Sequence, residues 1–304
     1  MSQNGSVHVS DLASVTVIDG GLGSHLESLG HDLSGNLWSA RLLLDDPQAI
    51  QAAHRDFFEA GARVAISASY QVSFDALSAV GIDVSTASDL LRRSVKLAQA
   101  ARDDVGVDGL IAASVGPYGA ARADGSEYTG DYDLDRAGLR RWHEPRFEVL
   151  CNAGADLLAI ETIPSISEAG ALLDLLSGSG VPAWVSFTIA DGTLRTGESL
   201  ADAFAEADAV DEIIAMGINC SHPSEVAAAL RTARDSTSKP IVVYPNGGET
   251  WNADSRRWEG ESGGAHDSVA EWLEAGATII GGCCRVGPAD IAHIAAVADE
   301  WSQR

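Results

Sequence analysis

Lysine and arginine are scarce in this chain. Its 304 residues include 20 of them against 44 aspartates and glutamates, a formal net charge of −24 at pH 7. A surplus of that sign opposes binding to nucleic acid and to anionic membrane surfaces, and otherwise means a well-solvated acidic exterior. Long apolar runs are missing too, and none approaches the ~20 residues a helix needs to cross a bilayer. The stretch 1–11 is polar and lacks the basic and apolar segments of a secretory leader. Cysteine is limited to four residues, too few for a disulfide-stapled scaffold. Together these absences lead to the expectation of a cytoplasmic enzyme. Several motifs are also absent: there is no CxxC pair, no HExxH and no P-loop. Gly20-Gly21-Leu22-Gly23-Ser24 is glycine-rich but lacks the dinucleotide spacing. It is expected to carry a tight turn or to bring backbone amides close to a ligand.

What is present is a repeating order. Apolar runs at 15–19, 64–69, 110–116, 157–162, 183–189, 213–220, 241–246 and 278–283 read as strands. Helical patterns at 48–60, 88–105, 140–153, 167–176, 200–208, 224–235 and 266–275 lie between them, and a last one at 288–301 closes the chain. The runs are β-branched and apolar on both faces, as buried parallel strands are. Eight βα units in a chain of this length predict a (β/α)8 TIM barrel spanning 1–304, with 1–13 as a loosely ordered start. A doubly wound open sheet is the runner-up, and the count of eight favours closure. Three long linkers, 20–47, 117–137 and 247–265, all follow strands. They therefore fall on the C-terminal face, where barrels of this kind place their sites.

Polar residues that end strands are the candidates for chemistry: Asp19, Ser69 with Tyr70, Ser114, Glu161 with Thr162, Asn219 with Cys220, Asn246, and Cys283 with Cys284. Neighbouring side chains on a strand point to opposite faces, so Cys283 and Cys284 can share one ligand only where the backbone turns. Gly281 and Gly282 are expected to allow that turn through their backbone freedom. With Cys220 they make the donor set of a three-thiolate zinc site whose fourth position is open to substrate. Free cysteine is also a common core filler, and a Cys-Cys pair can close as a vicinal disulfide, so spacing alone leaves these alternatives open. Glu161 follows Leu157-Leu158-Ala159-Ile160 and needs a partner there, either a substrate ammonium group or a salt bridge. Asp19 suits a turn or a loop anchor. Cys151 lies inside a helical pattern and is assigned to the core, and His222 to a solvated loop.

Taken together, the motifs resemble those of the homocysteine S-methyltransferases over almost the whole chain. The matching stretches are Asp19-Gly20-Gly21, Leu37-Trp38-Ser39-Ala40, Ser67-Ala68-Ser69-Tyr70-Gln71 and Ser114-Val115-Gly116-Pro117-Tyr118-Gly119. They continue with Gly125-Ser126-Glu127-Tyr128, Asp156-Leu157-Leu158-Ala159-Ile160-Glu161-Thr162, Gly217-Ile218-Asn219-Cys220, Tyr244-Pro245-Asn246 and Gly281-Gly282-Cys283-Cys284-Arg285. The resemblance implies a TIM barrel with zinc on Cys220, Cys283 and Cys284. It further implies that Glu161 and Asp19 bind the homocysteine amino group, and that Ser69, Ser114 and Asn219 line the amino-acid pocket. The branch most similar to it takes S-methylmethionine or S-adenosylmethionine as methyl donor, without the folate and cobalamin modules of the vitamin-dependent enzymes. Three positions depart from the usual pattern: Ser24 and His25, where the family often has Thr and then Glu or Gln, and Gly248, where it often has Ser.

The implied chemistry is attack of a thiolate on the methyl carbon of a sulfonium, with no general base at carbon. Small-molecule substrates are therefore the expected partners. Trp38, Tyr118, Tyr128 and Trp251 are candidates for facing the cationic donor, with loop packing as the alternative for each. A non-catalytic zinc or amino-acid binding barrel and a selenol acceptor such as selenocysteine stay open at this point. A zinc hydrolase would need a general base beside the metal, and none is evident in the sequence.

Overall fold

The computed structural model describes residues 14–33, 38–252, 257–259 and 268–304. The expected loose segment 1–13 lies outside them. Eight strands run parallel around a barrel: β1 (Thr16–Val17), β2 (Val64–Ile66), β3 (Leu110–Val115), β4 (Leu157–Ile163), β5 (Ala183–Phe187), β6 (Ile213–Asn219), β7 (Ile241–Tyr244) and β8 (Ile279–Ile280). Hydrogen bonding joins them in the order β1-β8-β7-β6-β5-β4-β3-β2. The ring closes where Ile18 bridges Val64 in parallel, with Arg63 N donating to Val17 O at 2.7 Å and Asp19 N to Val64 O at 3.0 Å. The TIM barrel, rather than the open sheet, is the fold.

Strand alternation sorts the core into two layers. Ile18, Val64, Ala112, Leu157, Ala159, Trp184, Val242, Tyr244 and Ile279 fill the barrel interior. Their neighbours Val17, Ala65, Ile111, Leu158, Ile160, Val185, Val243 and Ile280 pack outward against the helices. Side chains at positions i and i+2 share a face, so the inward row of each strand runs on to its C-terminal end. On β3 and β4 that continuation places Ser114 and Glu161 inside the barrel mouth, both buried.

Seven of the expected helices occur close to their expected positions. Val84–Val105 starts earlier than expected because the Asp83 carboxylate caps Thr86 N at 2.7 Å. Arg136–Cys151 starts earlier because Asp135 caps Gly138 N at 2.8 Å. Acidic N-caps of this kind satisfy donors that the first turn leaves free. Val269–Glu274 sits inside the expected 266–275, whose first two residues lie outside the described set.

The long linkers hold more structure than hydrophobic periodicity revealed. Helices Leu22–Ser28 and Trp38–Asp45 occupy the first, and helix Tyr118–Arg122 with the 3-10 turn Ser126–Tyr128 the second. The third contains an antiparallel pair, Thr250–Asn252 with Arg257–Glu259. These pieces are shorter than the roughly 11–18-residue window over which periodicity stands out. The strand expected over 183–189 ends at Phe187, and Ile189–Ala190 instead pairs antiparallel with Thr193–Leu194 above the barrel.

Candidate metal centre and active site

Two strand ends deliver the thiols to one place. Cys220 directly follows β6 with a left-handed backbone (φ 49°), and its N–H donates to Tyr244 O at the end of β7. Cys283 and Cys284 follow β8, where Cys283 N donates to Pro245 O at 2.8 Å and Cys284 O accepts from Gly247 N at 2.9 Å. The sulfur atoms of Cys220, Cys283 and Cys284 all lie within 4.8 Å of one another, and Cys220 Sγ is 3.7 Å from Cys284 Sγ. Thiolates bound tetrahedrally at ~2.3 Å from one zinc ion would stand ~3.8 Å apart, so the cluster fits such a donor set. None of the four cysteines is joined in a disulfide in this structure. Cys151 is half-buried against the helical layer of the core, where burial pushes its thiol up to about 11.

The glycines before the cysteine pair act differently from the expectation. Neither Gly281 nor Gly282 has a positive φ; the left-handed residue of this turn is Arg285, at φ 68°. Gly281 is required by close approach, since a Cβ there would lie 2.7 Å from the carbonyl oxygen of Asp19. Gly21 works in the same way, with a Cβ position 2.4 Å from Cys283 O. The Gly20-Gly21 segment therefore packs its backbone against the cysteine turn.

Charge accumulates around these sulfurs. Hydrogen bonds from Cys283 and Cys284 hold the Cys220 thiol well below its ordinary range, and the other two are pushed up chiefly by their bonds to Cys220. The trio thus gives up one proton readily and resists losing more, which is the behaviour of a site that a cation completes. Burial pushes Glu161 up to about 7, against hydrogen bonds from Ser114 and Tyr244 that lower it. Asp19 is also raised, mainly by burial and further by the charge of Glu161. Its Oδ2 accepts from Ile66 N at 2.8 Å, whereas its buried Oδ1 has no partner among the described residues.

The other sequence candidates divide into those facing the mouth and those that brace it. Ser114 Oγ donates to Glu161 Oε1 at 2.5 Å. Ser69 is fully buried and donates to Ser114 O at 2.7 Å. Asn219 accepts from Thr162 N at 2.7 Å and Ser186 Oγ at 2.9 Å, and donates to Thr162 Oγ1 at 2.8 Å. Ser69 and Asn219 thus spend much of their hydrogen-bonding capacity on holding neighbouring strand ends. Among the aromatic candidates, Tyr128 reaches the site, its hydroxyl 3.3 Å from Cys220 Sγ. Tyr118 packs edge-on against Tyr132 and Trp142, which is loop packing. The side chains of Trp38 and Trp251 lie outside the described residues. His222 is exposed, as expected.

Known proteins agree with this geometry. A family model described as Homocysteine S-methyltransferase matches residues 16–298. The chain belongs to the homocysteine S-methyltransferase family. Homocysteine S-methyltransferase 4 from Zea mays is 43% identical over 96% of this chain and 92% of its own. Homocysteine S-methyltransferase from Escherichia coli is 41% identical over 97% of this chain and 99% of its own. The metallated form of the homocysteine methyltransferase MmuM from Escherichia coli superposes with a TM-score of 0.85, at 40% identity, covering 95% of this chain and 98% of that one. That relative has a metallated form, and here Cys220, Cys283 and Cys284 form a cluster that could hold a metal ion.

Within this methyltransferase the departures acquire local roles. Ser24 Oγ accepts from Arg285 N at 2.9 Å, and His25 Nε2 pairs with Asp56 Oδ2 at 2.8 Å while its ring meets Phe57 edge-on. Gly248 has a φ of 114°, a conformation that strains any residue with a side chain. Sequence reasoning missed Ser186, whose hydroxyl lies 2.6 Å from Tyr244 Oη and also reaches Asn219, and Glu127, whose buried Oε2 has no partner among the described residues. Strand parity could have found Ser186, two residues past the inward Trp184. Glu127 lies in the matching stretch Gly125-Ser126-Glu127-Tyr128, but the motif by itself assigns it no role.

Proposed function

We propose that this protein transfers a methyl group from a sulfonium donor, S-methylmethionine or S-adenosylmethionine, to the thiol of L-homocysteine, giving methionine, with zinc held by Cys220, Cys283 and Cys284. The observation that carries this reading is the convergence at one barrel mouth of three thiols and two buried carboxylates, one of which keeps an oxygen without a partner among the described residues. The carboxylates suit an ammonium group. Asp19 Oδ1 has no partner among the described residues, and Glu161 titrates near neutrality, so an amino acid's ammonium satisfies both. Ser114, braced by Ser69, fixes the Glu161 carboxylate at the end of β4. Asn219, tied to Thr162 and Ser186, holds the strand end from which Cys220 turns.

Zinc bound by the three cysteines supplies a Lewis acid that favours the ionised form of a substrate thiol at neutral pH. The substrate thiol's proton leaves to solvent. A bond then forms between homocysteine sulfur and the methyl carbon as the sulfonium's carbon–sulfur bond breaks, with its electron pair going to the departing neutral thioether. The donor loses its positive charge in this step, so no general base is needed at carbon. The barrel's contribution is to align two sulfur atoms and to exclude water. We place the protein in the cytoplasm, where reducing conditions keep the cysteines free.

The test is a paired assay on purified protein: zinc content, then methionine formation from homocysteine with each donor separately. About one zinc per chain with turnover supports the reading and ranks the donors. Zinc without turnover on homocysteine, but with turnover on selenocysteine, replaces the acceptor. Zinc without turnover on either leaves a binding protein.

A further inference from the structure

Tyr128 is flanked by two charged groups that the reaction has not used. Its chain neighbour Glu127 buries Oε2, and that oxygen has no partner among the described residues. The Arg195 guanidinium lies over the Tyr128 ring, 5.5 Å from the centroid. Arg195 follows the short hairpin of Ile189–Ala190 and Thr193–Leu194. Its Nε donates to Thr188 Oγ1 at 3.1 Å, and Thr188 Oγ1 in turn donates to Cys220 O at 3.2 Å. One edge of the guanidinium fork is thereby anchored through Thr188 to the backbone of Cys220, and among the described residues the terminal nitrogens donate to no protein group. Glu127 is fixed from below. Gly119 passes so close that a Cβ there would sit 2.2 Å from Glu127 N.

The homocysteine carboxylates, Asp19 and Glu161, come from β1 and β4, whereas Glu127 and Arg195 come from the loops above the thiols. In a methionine-derived sulfonium the reacting sulfur is two methylenes from Cα, so its ammonium and carboxylate lie roughly 4–6 Å from that sulfur by ordinary bond lengths. Tyr128 Oη is 3.3 Å from Cys220 Sγ. Groups that border the Tyr128 side chain are therefore within reach of that end of the donor once its methyl group faces the cluster. A buried carboxylate oxygen without a partner is costly, and an ammonium group is the ligand that removes the cost. A guanidinium with free donors is the complementary reader of a carboxylate.

We propose that Glu127 and Arg195 form a second amino-acid site, reading the ammonium and the carboxylate of the methyl donor respectively. This rests on the methyl-transfer reading above. It goes beyond that reading in naming the residues that hold the amino-acid end of the donor.

The experiment compares three donors with homocysteine as acceptor: S-methyl-L-methionine, dimethylsulfoniopropionate, which keeps a carboxylate but no ammonium, and trimethylsulfonium, which has neither. Glu127→Gln is expected to lower kcat/KM for S-methylmethionine at least ~10-fold and to spare the other two donors. Arg195→Gln is expected to lower it for S-methylmethionine and dimethylsulfoniopropionate and to spare trimethylsulfonium, with Arg195→Lys recovering part of the loss. The KM for homocysteine stays unchanged in each. Equal losses for all three donors, or no loss for any, overturn the proposal and leave the methyl-transfer reading standing. Wild-type protein that uses no sulfonium at all overturns both. Thermal melts accompany each variant, and where Glu127→Gln lowers the melting point, Glu127→Asp, which keeps the charge but withdraws it, serves as the second probe with the same donor pattern expected.

Discussion

Ser24 and Arg285 lie 261 residues apart, and the Ser24 hydroxyl accepts the Arg285 backbone N–H at 2.9 Å. Arg285 is left-handed at φ 68° and directly follows the cysteine pair. A hydrogen bond from the first loop thus pins the turn that points Cys284 at Cys220. Strained backbone of this kind persists where surrounding contacts hold it in place.

Removing that pin is expected to loosen the metal centre more than the fold. Ser24→Ala should cost about 1 kcal/mol of stability and weaken zinc about 10-fold, in line with loss of a group that orients a ligand. Ser24→Thr, which keeps the acceptor, should retain wild-type affinity. Chelator competition reads the affinity, and equal affinity in the Ala variant would show that the turn holds itself.

The thiol assignments separate cleanly by substitution. Cys220→Ala, Cys283→Ala and Cys284→Ala are each expected to lose bound zinc and methyl transfer, whereas Cys151→Ala keeps about one zinc per chain and full activity. Metal analysis beside the activity assay checks this. A zinc-replete, active Cys284→Ala protein would refute the site.

Glu161 makes a prediction about pH. Burial raises its carboxyl to about 7 in the folded protein, from an ordinary 4.5. Between those values the native state keeps a proton that the unfolded chain has released. The stabilising contribution of Glu161 is therefore complete below about 4.5, declines as pH rises, and is lost above about 7. In metal-free, substrate-free protein, Glu161→Gln should gain stability relative to wild type on going from pH 5 to pH 8, by on the order of 1–3 kcal/mol. Denaturant unfolding at the two pH values measures it, and a pH-independent difference would count against it. The same substitution should raise the homocysteine KM about 10-fold or more, because the ammonium loses a charged partner.

A buried ionic group supports the loop over the site. Glu168 Oε1 accepts from Tyr118 N at 2.6 Å and from His143 Nε2 at 2.8 Å. Arg146 donates to Gly116 O at 2.9 Å, and although burial lowers it to about 10, it stays charged at neutral pH opposite Glu168. Glu168→Ala leaves that cation buried without its counter-charge and is expected to cost about 3–5 kcal/mol. A drop in the urea midpoint tests this, and a loss below about 1 kcal/mol would mean the cluster contributes little.

Much of the barrel could be read along the chain because its strands are continuous and apolar on both faces. Hydrophobic periodicity is a local property, and it located the runs that become β3, β4, β6 and β7. The clustered thiols were legible for a related reason: a polar residue that ends such a run lies at the barrel mouth, which holds for Cys220, Cys283 and Glu161. Family motifs supplied the roles assigned to them. The short helices Leu22–Ser28 and Tyr118–Arg122 left no such trace, since they are shorter than the roughly 11–18-residue window over which helical periodicity stands out.

The sequence by itself determined which residues face inward and which chemical groups reach the rim, because strand parity and residue type are settled before any long-range contact forms. Only the tertiary structure decided which of those groups are free. Ser69 and Asn219 look identical in kind to Asp19 from the sequence, yet the fold engages their polar groups in bracing neighbouring strand ends and leaves Asp19 Oδ1 open among the described residues. It also decided why Gly21 and Gly281 are glycines: two backbones from opposite ends of the chain pass within a side chain's width of each other. Distance between remote segments is a property of barrel closure, and no local pattern encodes it.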